Sequence, residues 1–176
     1  MNKLWIKDKE VLIRSAQIED AKILNSWWTD GKVMAHAGLP RGTGESLEKT
    51  EESIRTFKGF LCIIEIEGQK VGELSFHPDR QGFDPGWKIC DTSFQNKGYG
   101  PRIINLVLNY IFKNYPDEDK ITWDTLEDNT RAQHVYEKKI GAKRRALLKD
   151  HYIDQEGKAR GVVEYEITRE DFYARP

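Results

Sequence analysis

The 176-residue sequence has little cysteine, no long apolar run and no excess of charge of one sign. No apolar segment approaches the roughly 18 residues that a helix needs to span a bilayer, so we expect no membrane partner. Charged residues interrupt the stretch MNKLWIKDKEVLIR at the N-terminus, so we do not expect it to act as a secretory signal. The formal net charge is −1 and the basic residues are scattered, so we expect no nucleic-acid partner.

The two cysteines, Cys62 and Cys90, lie in separate β-like runs and form no C-x-x-C pair. Free cysteine is usually buried, so we expect two buried thiols in a reducing compartment, which favours a cytoplasmic location. The four histidines show no metal-ligand spacing, either among themselves or with the cysteines. No metal is predicted.

The length and composition are those of one globular domain, which we place over residues 1–176. Apolar periodicity predicts the order β-α-α-β-β-β-α-β-α-β-β, an α/β (α+β) fold with a mixed sheet and helices on its faces. Helices are predicted at 15–28, 46–57, 102–112 and 128–141, and a Gly-rich loop at 31–46. The β-like runs lie at 10–16, 60–66, 71–76, 86–94 and 120–126, with two more in 142–171.

The stretch QNKGYGP (95–101) places two glycines and a proline directly before the most apolar helix. Main-chain N–H groups at a helix N-terminus lack partners in the helix and carry the positive end of its dipole, so they bind anions. Pro101 has no N–H, so the donors are expected at residues 96–100, with Lys97 as an added cation. The alternative is a tight strand-to-helix turn that binds nothing.

Two common phosphate-binding motifs do not fit this stretch. The dinucleotide-binding fingerprint needs a third glycine where Ile103 stands, and the P-loop needs Gly-Lys-Ser/Thr where the sequence has Gly-Pro-Arg. QNKGYG instead resembles the Q/R-x-x-G-x-G/A loop of the GCN5-related N-acetyltransferases (GNAT), with Asn96 where a first glycine is common. A second block, DNTRAQHVYEKKIGAK, resembles the family's N-x-x-A-x-x-x-Y-E-K-x-G-A/F pattern from Asn129 to Ala142.

Together with the predicted order of elements, the two blocks extend the resemblance over nearly the whole chain. The charged N-terminal strand and the VMAHAGLP loop resemble most the branch that contains the ribosomal-protein alanine N-acetyltransferases. It implies a GNAT fold with a splayed central sheet and acetyl-CoA as co-substrate. The implied reaction is direct attack by a primary amine in a ternary complex. The acceptor would be a small-molecule amine or a peptide N-terminus, and homodimers are frequent in the family.

The resemblance also implies which residues bind the cofactor. They are the loop residues, three strand amides and one residue before the second motif helix: Gln95, Asn96, Lys97, Gly98, Tyr99, Gly100, Lys88, Ile89, Cys90 and Asn129. For Asn129 the alternative is a simple N-cap, and one side chain serves only one of these roles well.

For catalysis, Tyr136 matches the family's general acid, with a core aromatic as the alternative. The base is open. Asp124 lies near the end of a strand where some N-terminal acetyltransferases carry a glutamate, and Glu73 and Asp91 are rivals. An ordinary solvated carboxylate is an equal alternative for each of the three.

Two further functions stay open. The second block also resembles aminoglycoside N-acetyltransferases. Those enzymes carry an acidic residue on the fourth strand, but this chain has Gly86 at that position, with Asp84 nearby, which makes this function less favoured. A CoA-binding module without turnover is the other alternative, and its expected mark is loss of the phenol and carboxylates, which this chain retains.

Overall fold

A computed structural model describes residues 3–175. Its strands are β1 (Trp5–Asp8), β2 (Val11–Ser15), β3 (Phe60–Ile66), β4 (Gln69–Phe76), β5 (Gly86–Ile89), β6 (Lys120–Leu126), β7 (Lys143–Ile153) and β8 (Ala159–Thr168). Its helices are α1 (Ala21–Thr29), α2 (Gly31–Met34), α3 (Leu47–Thr56), α4 (Tyr99–Asn114), α5 (Thr130–His134, continued as a π-helix over Val135–Ile140) and α6 (Arg169–Tyr173). None of the described helices is both long and apolar enough to cross a membrane.

The strands form two sheets, one of five strands in the order β1-β2-β3-β4-β5 and one of three in the order β6-β8-β7. Every ladder in both sheets is antiparallel, and the predicted hairpin around EGQK joins β3 to β4. Within residues 3–175 no ladder joins β5 to β6, so the central sheet is split between them. The predicted α/β class, the order of its main elements and the splayed sheet are confirmed. The sheet was predicted to be mixed, whereas among the described residues the one parallel pairing is the isolated bridge between Phe83 and Thr122.

Three local predictions need correction. The loop at 31–46 begins with a helix, because the Asp30 carboxylate accepts a hydrogen bond from the Lys32 amide at 2.8 Å and caps α2. The run at 86–94 ends as a strand at Ile89, because Asp91 caps a 3-10 turn over Thr92–Phe94. The short elements β1, α2 and α6 were not predicted as separate elements.

The core lies on both faces of β3, which explains the unbroken apolar run FLCII over residues 60–64. Alternate residues of a strand point to opposite faces, so Cys62 and Ile64 join the main core beside α4 while Leu61 and Ile63 pack with α1 and α3. The buried stripe of α4 recurs at the three- and four-residue spacing of a helix face: Ile103, Ile104, Val107, Leu108, Ile111 and Phe112. Both cysteines are buried and unpaired, as predicted.

Candidate active site

The two sheets meet at a cleft between β5 and β6. Just before β5, Phe83 bridges Thr122 in the parallel sense, and the Thr122 amide donates to the Gly82 carbonyl at 3.0 Å. Beyond this point the strands pair no further. The cleft therefore lies along β5 and β6, between the chain segments that continue to the 95–100 loop and to α5.

One edge of β5 pairs with β4 and the other faces this cleft. The Cys90 amide donates to the Val71 carbonyl at 2.8 Å, so by the alternation of an antiparallel ladder Lys88 also directs its main-chain groups toward β4. Ile89 directs its groups the other way, since its carbonyl accepts from Gln95 Nε2 at 2.8 Å. The prediction of three cofactor-facing amides is thus wrong for Lys88 and Cys90, and Ile89 is the one that faces the cleft.

The 95–100 loop presents free main-chain donors. Gly98 has φ of 82° and Asn96 has φ of 59°, both in the left-handed region. Asparagine tolerates that region better than most residues, which is why Asn96 can stand where a glycine is common. In the part of the chain that the structure describes, the N–H groups of Asn96, Lys97 and Gly98 have no main-chain or side-chain acceptor.

Open space lies beside the two glycines of this loop. A Cβ atom built at Gly98 or Gly100 meets no other heavy atom within 4 Å. The left-handed φ of Gly98 explains why a glycine occupies that position. Gly100 has neither a left-handed φ nor a close neighbour that would require a glycine. Free amides beside an unfilled space fit a bound anion such as a diphosphate.

The side chains of the loop have different surroundings. Gln95 is not free, because it donates to the Ile89 carbonyl and its Oε1 accepts from Arg131 of α5 at 2.8 Å. Lys97 is exposed at the loop, with Nζ 5.5 Å from the Phe94 ring centre. Tyr99 packs its ring on that same phenylalanine. Lys97 and Arg131 are therefore two cations beside the free amides.

Asn129 caps α5. Its Oδ1 accepts from the Ala132 amide and its Nδ2 donates to Thr125 Oγ1, both at 3.2 Å. The structure therefore has the capping interaction that was the alternative to cofactor binding, and both ends of the side-chain amide are engaged.

Tyr136 lies in the π-helical part of α5 and is only 7 % exposed. Its ring packs among those of Trp87, Trp123 and Tyr165. Its Oη accepts a hydrogen bond from Trp87 Nε1 at 3.0 Å, which links α5 to β5. Burial raises the pKa of Tyr136 to about 12, although the bond from Trp87 acts in the opposite direction. The phenol is therefore protonated at neutral pH and able to donate.

Asp124 lines a cavity of about 460 Å³ between β6, β8 and the segment just before β5. It stands directly across from Glu164 of β8, and within residues 3–175 neither carboxylate has a hydrogen bond or an ion pair. Loss of solvation raises the pKa of Asp124, the negative charges of Asp84 and Glu164 add to this, and His151 opposes it. The remaining polar residues around the cavity include Arg80, Gln81, Lys120, Thr122 and Arg145.

The rival carboxylates are less suited to act as a base. Glu73 Oε1 lies 3.7 Å from Lys88 Nζ, so a cation already faces it. Asp91 accepts from Ser93 in its capping role, which lowers its pKa. A base is more effective when its pKa approaches the working pH, and the direction of the shift favours Asp124.

Sequence reasoning missed Trp87 and Glu164. Trp87 lies two residues before Ile89 on β5. Because side chains alternate between the two faces of a strand, the side chains of Trp87 and Ile89 lie on the same face, and this would have indicated Trp87 if the cleft beside Ile89 had been known. Glu164 becomes relevant through its register opposite Asp124, which a single sequence does not reveal. No group of three or more His, Cys, Asp or Glu side chains within 3–175 could hold a metal ion.

The family model for the acetyltransferase (GNAT) domain matches residues 10–143. The chain therefore belongs to the GNAT acetyltransferase family and is an acyltransferase by class. It is 27 % identical over 157 residues to the uncharacterized N-acetyltransferase YnaD of Bacillus subtilis (strain 168), covering 83 % of this chain and 86 % of that one.

Two solved structures share the fold. The spermidine N-acetyltransferase of Vibrio cholerae, in complex with CoA and spermine, has a TM-score of 0.80 at 18 % identity and covers 94 % of this chain and 99 % of its own. RimL, a ribosomal L7/L12 α-N-protein acetyltransferase in complex with coenzyme A, has a TM-score of 0.79 at 16 % identity, with 96 % and 99 % covered. The resemblance inferred from the two sequence blocks is confirmed.

Proposed function

We propose that the protein is an N-acetyltransferase that uses acetyl-CoA to acetylate a primary amine, either a small molecule or a peptide N-terminus. The observation that carries the proposal is the row of free amides at 96–98 beside the open space at Gly98 and Gly100, next to a split in the sheet. The fold is shared with enzymes whose structures hold CoA, which supports the same co-substrate here. The buried free thiols agree with a cytoplasmic location.

The chain's own groups divide into those that bind and those that move protons. The free amides of residues 96–98 would hold the diphosphate, with Lys97 and Arg131 as nearby cations. The cleft-facing edge of Ile89 would pair with the pantetheine arm and offer its N–H to the carbonyl oxygen, where negative charge develops. Acetyl-CoA supplies the activated acetyl group as a thioester.

Two residues have the environment needed for proton transfer. An amine must lose a proton to attack, and Asp124, unpaired and with a raised pKa, would accept it directly or through water. Tyr136 stays protonated at neutral pH and would donate its proton to the departing sulfur.

Small-molecule amines and peptide N-termini are both candidate acceptors. The unpaired Asp124 and Glu164 would favour a cationic acceptor, since an ammonium group near them lowers their electrostatic repulsion. Spermidine and a ribosomal-protein N-terminus, named for the two enzymes of the same fold, are therefore the first acceptors to test.

A screen for thiol release from acetyl-CoA with polyamines, peptide N-termini and aminoglycosides tests the proposal. We expect release with at least one amine, and we expect Tyr136→Phe to lower kcat about 100-fold or more while the Kd for CoA stays unchanged. Tyr165→Phe is the matched control, because that buried hydroxyl bonds to Glu137 at 2.8 Å instead. CoA binding without thiol release from any amine would favour a non-catalytic module, and release with aminoglycosides alone would favour the antibiotic-modifying alternative.

A further inference from the structure

We propose that Trp87 is a positioning residue for Tyr136: its indole N–H holds the phenol oxygen so that the phenol proton points to the leaving sulfur. The proposal rests on the proposed function and adds a residue that neither sequence block contains. Its geometric basis is the 3.0 Å bond from Trp87 Nε1 to Tyr136 Oη.

The direction of this hydrogen bond fixes where the phenol proton can go. An indole nitrogen only donates, whereas a phenol oxygen both donates and accepts. Because Trp87 fills an acceptor position of Oη, the O–H of Tyr136 has to turn away from the indole and toward another acceptor. Within residues 3–175 the structure records no acceptor for that proton, so a departing sulfur placed beside Oη would not compete with a protein acceptor for it.

A neighbouring tryptophan shows that packing alone does not require this bond. Trp123 lies in the same aromatic cluster, with its ring centre 5.6 Å from that of Tyr136 and 5.4 Å from that of Trp87. Its Nε1 is buried and has no hydrogen-bond partner among the described residues. The cluster therefore offers one indole that bonds to the phenol and one that only fills space.

The bond also helps the proton to leave. When the amine nitrogen bonds to the acetyl carbon and the C–S bond breaks, the electron pair stays on sulfur and Tyr136 gives its proton to it. The proton that the amine loses passes to Asp124 or solvent, and solvent returns one to the phenolate. Trp87 stabilises the negative charge on Oη during this exchange, as the opposing effect of its hydrogen bond on the pKa of Tyr136 indicates.

The bond itself can be tested in the free protein. Indole N–H signals in a ¹H–¹⁵N spectrum are assigned with Trp87→Phe and Trp123→Phe, and then compared between wild type and Tyr136→Phe. The phenylalanine keeps the ring and removes only the hydroxyl, so we expect the Trp87 signal to move upfield and exchange faster, with a smaller change for Trp123. An unchanged Trp87 signal would overturn the proposal.

Steady-state kinetics test the role with a double-mutant cycle. We expect Trp87→Phe to lower kcat about three- to tenfold with little change in the KM for acetyl-CoA, as loss of one hydrogen bond predicts. Trp123→Phe, which removes no bond to the phenol, should change kcat by the same factor in the wild-type and Tyr136→Phe backgrounds. In the Tyr136→Phe background, Trp87→Phe should cost less than about twofold, because it acts through the hydroxyl that is already gone.

The outcomes separate this inference from the proposed function. An equal loss from Trp87→Phe in both backgrounds would mean that the indole acts by packing, and would overturn the positioning role alone. Wild-type protein that releases no thiol with any amine would overturn the proposed function, and the positioning role with it.

Discussion

Replacing Gly98 by alanine tests whether the 95–100 loop exists to bind an anion. Gly98 has φ of 82° and Gly68, in the turn between β3 and β4, has φ of 78°. A Cβ at either position meets no heavy atom within 4 Å. Both substitutions therefore carry the same strain of a left-handed alanine, about 1 kcal/mol of unfolding free energy, and no clash within the protein.

The two variants should differ only in CoA binding. A methyl group at Gly98 enters the space beside the free amides of Asn96, Lys97 and Gly98. Losing one hydrogen bond to a charged phosphate costs about 1.5–3 kcal/mol, which corresponds to a roughly 10- to 150-fold weaker Kd. Gly68→Ala should bind CoA as wild type does.

Titration calorimetry with CoA and urea unfolding of each variant give the two quantities. Gly100→Ala sharpens the comparison, because this position lies in the first turn of α4 without a left-handed φ. We expect its stability to be equal to or above that of wild type and its CoA affinity to fall. If Gly98→Ala and Gly68→Ala bind CoA equally well, the anion-binding account of the loop is wrong.

Two further predictions concern carboxylates. Asp20, 1 % exposed, bonds to Arg14 and Lys70 at 2.7 Å, so Asp20→Asn should cost about 3 kcal/mol of unfolding free energy at pH 7, measured by urea unfolding. Burial opposes ionisation of Asp20, but its hydrogen bonds outweigh this effect and lower its pKa. The contribution of Asp20 to the unfolding free energy is therefore complete above about pH 4 and is lost progressively below it. A stability advantage of wild type over Asp20→Asn that persists undiminished at pH 2 would contradict this. The pKa of Asp124 is raised, so activity should fall on the acid side at a pH above 3.8, the ordinary pKa of an aspartate. Asp124→Asn should lower kcat/KM about 100-fold and remove this acid limb of the pH profile. An unchanged pH profile would exclude Asp124 as the base.

Local patterns predicted most of the fold. The apolar stripe of α4, the turn between β3 and β4 and the Asn129 cap each follow from neighbouring residues, and the structure has all of them. The helix α2 was missed because its one turn depends on the side chain of Asp30 rather than on periodicity. Short elements of this kind carry too few residues for a repeating pattern.

The site was predictable in part, for the same reason. The loop donors and Tyr136 lie in contiguous motifs, so the sequence contains them directly. Which amide of β5 faces the cleft depends on the ladder with β4, and the pairing of Asp124 with Glu164 depends on the register of β6 and β8. The bond between Trp87 and Tyr136 joins residues 49 positions apart and requires the packed fold.

The most direct measurement is a pair of ¹H–¹⁵N amide titrations, one with CoA and one with pantetheine, which has the same arm without the phosphates. If main-chain N–H groups at 96–100 hold the diphosphate, CoA should bind at least 100-fold more tightly and shift the amide signals of those residues most strongly, while pantetheine leaves them nearly unchanged. Equal affinities for the two ligands, or CoA binding that leaves these amides undisturbed, would contradict the account.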